Sequence, residues 1–181
     1  MDDRRLRVLA SSGLAVGAVF GMAGTFAPSP SLRGLAWGID GVALVMASAL
    51  LTLWFYRRGQ DLIASGFLVF LVGEGIVVSS SAMELAASTP SFGAGIGLWA
   101  LALVLISVPP AFPSVVRAFG FLAAVLFAAT ALQIFAGAQI TPTTSPLPFH
   151  AYPVLVATMG GWIWTLLKVE GVPPPAPQQL P

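Results

Sequence analysis

The stretch DLIASGFLVFLVGEGIVVSSSAMEL, residues 61–85, decides the fold. Residues 62–83 form an apolar run that, at about 1.5 Å per residue, can cross the roughly 30 Å of hydrocarbon in a bilayer. Near its middle stands Glu74, between Gly73 and Gly75. An ionisable side chain at that depth costs on the order of 3 kcal/mol or more unless it is protonated, paired or hydrated. Glycines on both sides remove side-chain bulk, so a second helix can approach the backbone there.

The same pattern runs through the whole chain. Of its 181 residues 57% are hydrophobic and only 8% charged, with a mean hydropathy of +0.90. A water-soluble domain carries about 25% charged residues, so the composition is that of a polytopic membrane protein. Apolar runs occupy residues 6–27, 32–56, 62–83, 92–108, 115–136 and 149–167. Proline, glycine and serine break them, as at Pro28 and Pro30, Gly59, Pro90, Pro109 and Pro110, and over 141–148. The runs are longer than barrel strands and lack period-two alternation, so the reading is an all-α bundle. Residues 1–168 form one domain of six transmembrane helices with short loops. Residues 169–181 form a proline-rich cytoplasmic tail, expected to be extended and disordered.

Orientation follows from the basic residues. With six spans, Arg4, Arg5, Arg7, Arg57, Arg58, Arg117 and Lys168 all fall on one side and Arg33 alone on the other. Both termini are therefore expected in the cytoplasm, and the short loops suit a bacterial plasma (inner) membrane. The first run also has the outline of a signal peptide, although Pro28 directly after Ala27 is unfavourable for cleavage.

Span 1 carries Gly13, Gly17 and Gly21, a ladder of glycines four apart on one helix face. Gly34 and Gly38 repeat the spacing in span 2, as do Gly93 and Gly97 in span 4. Such faces serve close packing, either within this bundle or against another subunit. An inverted repeat is not visible, because no Asp or Glu occurs between Leu85 and Val169.

Asp40 is the second acid within a span. It lies 17 residues before Arg57, and Glu74 lies 14 after Gln60. At 1.5 Å per residue these are ~25 and ~21 Å from the turn joining spans 2 and 3, a similar depth in the outer half of the membrane. If the two carboxyls face each other they can share a proton. Ser81, seven residues beyond Glu74, continues its face, and Glu84 follows near the surface. Glu84, Ser81 and Glu74 together make a polar line that Phe67 and Phe70 close toward the cytoplasm.

Several functions are disfavoured. There is no basic patch for nucleic acid, no cysteine and a single histidine, His150, so no metal centre or cofactor is expected. His150 reads as an interfacial side chain, and Ser79–Ser81 has no base beside it for hydrolase chemistry. Arg117 is expected to snorkel to the interface, Thr130 and Gln133 to bond across helices, and Pro153 to bend span 6. The expected function is that of an accessory subunit, packed through its glycine faces against other membrane subunits or itself within the lipid bilayer. The alternative is a small channel or proton-linked transporter that uses Glu74 and Asp40.

Overall fold

The computed structural model describes residues 3–81 and 84–168, with backbone alone at Ser81. The tail 169–181, the last part of the run ending at Met83, and the side chain of Ser81 lie outside the described residues. Six helices follow one another: α1 Asp3–Thr25, α2 Pro30–Tyr56, α3 Asp61–Ser81, α4 Thr89–Ser107, α5 Ser114–Phe135 and α6 Ala151–Lys168.

The boundaries follow local chemistry. Ser29 caps α2, its Oγ accepting from the Leu32 amide at 3.3 Å, and Pro30 takes the first turn, where its missing N–H costs nothing. At the other end Gly59 adopts a left-handed conformation (φ +67°). The Gln60 amide then returns to the Phe55 carbonyl at 3.0 Å, closing the helix before Asp61 opens α3. Gly137 (φ +98°) ends α5 in the same manner. Arg117 uses its guanidinium as a cap for the neighbouring helix, donating to the Ser107 carbonyl (2.7 Å) and the Val108 carbonyl (2.8 Å) at the end of α4.

Each helix packs against its neighbours in sequence, and α1 closes the ring against α6. At that closure Arg7 donates to the Leu166 carbonyl at 2.7 Å, so the start of the first helix stands beside the end of the last. Arg58 in the α2–α3 turn pairs with Asp3 at 2.8 Å, which puts that turn at the same end of the bundle. The outside of the ring is apolar: Val42, Val125 and Leu132 are 72%, 65% and 68% exposed. Side chains of this kind suit contact with lipid tails.

Helices α1 to α5 are each long and apolar enough to cross a membrane. Helix α6 falls short of the six-span expectation, with 18 residues and a sequence diluted by Tyr152, Pro153, Gly160, Gly161, Trp162 and Trp164. Pro153 sits in its first turn, where proline is tolerated, rather than at an interior bend. Thr130 and Gln133 bond back to the carbonyls of Leu126 (2.8 Å) and Ala129 (3.1 Å) on their own helix, not across to another. A polar side chain one turn beyond a carbonyl of its own helix finds it more readily than a neighbouring helix.

The axis of the ring near the α2–α3 turn is filled by aromatic rings. Phe55 stacks on Phe67 (5.5 Å), Phe67 meets Trp162 (5.2 Å), and Phe112 closes on Trp162 at 6.2 Å. The chain of contacts continues through Phe70–Trp99 (5.5 Å) and Trp99–Phe127 (5.3 Å) to Tyr152, 5.8 Å from Phe127. All fall in the range where ring pairs attract by about 0.5–1.5 kcal/mol beyond simple contact.

Candidate functional site: an acidic cavity within the ring

Above that aromatic filling the ring encloses a cavity of about 60 Å³, enough for a few water molecules. Helices α1, α2, α3, α4 and α6 all contribute to its wall, with Pro142 of the α5–α6 connection. Both intramembrane acids line it.

The glycine ladder of α1 seats Asp40. A Cβ at Gly21 would stand 2.8 Å from Asp40 Oδ2, and one at Gly17 would be 3.1 Å from Oδ1 while overlapping Leu44. One turn further along, a Cβ at Gly13 would meet the Ala43 carbonyl at 2.8 Å. The ladder is therefore occupied by α2, with the carboxyl of Asp40 lying on bare backbone.

Glu74 is placed by two more glycines. Gly73 of α3 lies against Gly95 of α4, a Cβ at either approaching the other's carbonyl within 2.8–2.9 Å. A Cβ at Gly41, the residue after Asp40, would stand 3.3 Å from Glu74 Oε1 and overlap Val78. The Glu74 carboxyl thus packs on the α2 backbone beside Asp40. Its residue is 1% exposed, and its Oε2 has no hydrogen-bond partner among the described residues. Asp40 Oδ1 and the Trp99 indole nitrogen are also buried without one.

The remaining wall is mixed. Ser80 and Ser88 spend their hydroxyl hydrogens on the carbonyls of Val77 (2.7 Å) and Leu85 (2.8 Å), which leaves lone pairs available. Tyr152 reaches in from α6. Trp37, Trp99 and Met159 supply apolar surface. Among the described residues no lysine, arginine or histidine lines the cavity. Arg33 turns to the Ala27 carbonyl (3.3 Å) and the Trp37 ring, and Lys168 lies over Trp164. Two carboxyls set in apolar surroundings cannot both stand ionised without a counter-charge between them. The arrangement can hold protons or a cation.

Of the residues singled out in the sequence, Asp40 and Glu74 come together here. Glu84 is exposed and outside the wall, and Ser80, which the spacing from Glu74 does not single out, lines it. Gly93 and Gly97 face Ile134 and Ala131 of α5, whereas Gly34, Gly38 and Gly75 have nothing within 4 Å. Trp99 and Tyr152 are wall residues that the sequence alone does not reveal. Depth is the signal that could flag Trp99, ten residues into α4 where Glu74 is seven from the end of α3. Among the described residues no three of His, Cys, Asp or Glu gather as metal ligands.

The fold and this site define a class, an all-helical membrane-type bundle with an acidic cavity inside its ring. No family model, curated protein or solved structure matches the chain.

Proposed function

We propose that this chain is a six-span carrier of a bacterial plasma membrane, with both termini cytoplasmic. In this reading it exchanges protons and a small solute at Asp40 and Glu74 from the outer face. The observation that carries the reading is Glu74, 1% exposed, with an unpartnered Oε2 in a cavity shared with Asp40. A carboxyl kept in such a place at a cost of several kcal/mol is a functional site by default. Helix α6 completes the sixth crossing, its 18 residues giving about 27 Å. The aromatic filling below the cavity closes one side, which supports a carrier over an open pore. Reconstituted in liposomes, the protein should drive proton-coupled flux that Glu74→Gln abolishes, while Glu74→Gln assembles normally because the amide keeps the shape. Flux unchanged in that variant would refute the reading.

A second reading, an accessory subunit of a larger membrane complex, is favoured by the outer groove between α1 and α2. There Gly34 and Gly38 lie open beside Val16, Leu35 and Val42. Gentle extraction followed by mass spectrometry tests it. A stoichiometric membrane partner supports this reading, and a chain that purifies alone removes it.

A further inference from the structure

The cavity's own chemistry narrows what the site takes, and the following rests on the carrier reading. We propose that the Asp40–Glu74 cavity binds a small primary or secondary alkylammonium ion, which enters as one proton leaves.

Charge sets the first condition. Among the described residues Glu74 Oε2 and Asp40 Oδ1 are buried acceptors without partners, and no basic side chain lines the wall to neutralise them. Once a proton has left, the occupant that satisfies both acceptors is positive and donates hydrogen bonds. Ammonium N–H groups meet both requirements, and charge-assisted bonds to carboxylates are the strong kind. A quaternary ammonium meets only the first.

The wall sets the second condition. Hard metal cations such as calcium take six to eight oxygen ligands, and magnesium keeps several of its waters. Here the oxygens are two carboxyls with the hydroxyls of Ser80, Ser88, Thr25 and Tyr152, while most of the lining is carbon. Trp37, Trp99 and Tyr152 stand in the wall, and aromatic rings attract organic cations. An alkyl group beside the charged nitrogen has apolar wall to rest on, and a hydrated metal ion does not.

Size sets the third. About 60 Å³ admits a few heavy atoms, the scale of methylammonium or ethylammonium. In the bound state the ion replaces one proton of the pair, so binding weakens as pH falls. The titratable groups facing the cavity are Asp40 from α2, Glu74 from α3 and Tyr152 from α6; α1 and α4 present none.

The experiment uses the full chain in lipid nanodiscs, titrated with methylammonium, tetramethylammonium or sodium chloride at constant ionic strength. Calorimetry and intrinsic tryptophan fluorescence report binding, and a pH indicator reports protons released. Methylammonium should bind saturably with proton release, at least tenfold more weakly in Glu74→Gln and more weakly at lower pH. Tetramethylammonium and sodium should bind at least tenfold more weakly than methylammonium. Asp40→Asn provides a second variant should Glu74→Gln misfold, with the same weakening expected. No saturable methylammonium binding, equal binding in both variants, or tighter binding of sodium overturns the proposal. Glu74-dependent proton uptake without ammonium binding would sink this inference while sparing the carrier reading. Absence of both would sink the two together.

Discussion

The two halves of the ring are built from the same helices and do opposite things with their interior. Toward the α2–α3 turn, Phe55, Phe67, Phe112 and Trp162 fill the axis with rings 5.2–6.2 Å apart. Toward the other end two glycines, two serines and two acids stand among apolar side chains, and a cavity remains. The difference is a matter of side-chain volume along the helices. Where glycines line a contact the backbones close up and a small polar group is held on bare peptide, as Asp40 is on Gly17 and Gly21. Where rings meet, the interior is packed and impassable. Lipid tails are as apolar as leucine, so neither half is driven by apolar burial alone, and fit between surfaces carries the stability.

The largest expected effect comes from emptying the packed half. Trp162 is 1% exposed and touches Phe67, Phe70 and Phe112. Trp162→Ala should cost about 3–5 kcal/mol, read as a lower denaturation midpoint in mixed micelles. A loss under about 1 kcal/mol would mean the rings are not close-packed.

Next comes overfilling the glycine face. Gly21→Val should push Asp40 off α1 and cost roughly 1–3 kcal/mol, with loss of cation binding. Gly34→Ala, where nothing lies within 4 Å, should be neutral or slightly stabilising by helix propensity. Equal effects of the two would break the claim that only the inner ladder is occupied. Arg117→Ala removes two bonds to the end of α4 and should cost about 1–2 kcal/mol. A larger loss in Gly34→Ala than in Arg117→Ala would also contradict the picture.

Much of this layout is legible in the residues alone, for a physical reason. Apolar length and helix rise are one-dimensional quantities, so the six helices and the shared depth of Asp40 and Glu74 follow from counting residues, while five of the six are long and apolar enough to span. Rotation about each helix axis is not so constrained. One residue turns a side chain by about 100°, so counting cannot assign Ser80 and Tyr152 to the wall. The glycine ladder is visible as a packing face, but its tenant is not. That Asp40 rather than a leucine rests on Gly21 depends on the α1–α2 register, which the loop of Pro28 and Pro30 sets in three dimensions. Helix α6 reads as a full span because its tryptophans and glycines continue an apolar run, although they dilute its hydropathy.

The most direct test of the central contrast uses the absence of cysteine from the chain. Ser80 lines the cavity, and Ser48, 0% exposed, lies about 12 Å further along α2 from Asp40 toward the packed half. Ser80→Cys and Ser48→Cys would each be exposed, in oriented vesicles, to silver ion, a thiol-reactive cation small enough for the cavity, from one face at a time. The account predicts that Ser80→Cys is labelled only from the face opposite the termini, and that Ser48→Cys is labelled from neither. Labelling of both from either face, or of Ser80→Cys from the face that carries the termini, would contradict a cavity open on one side and plugged on the other.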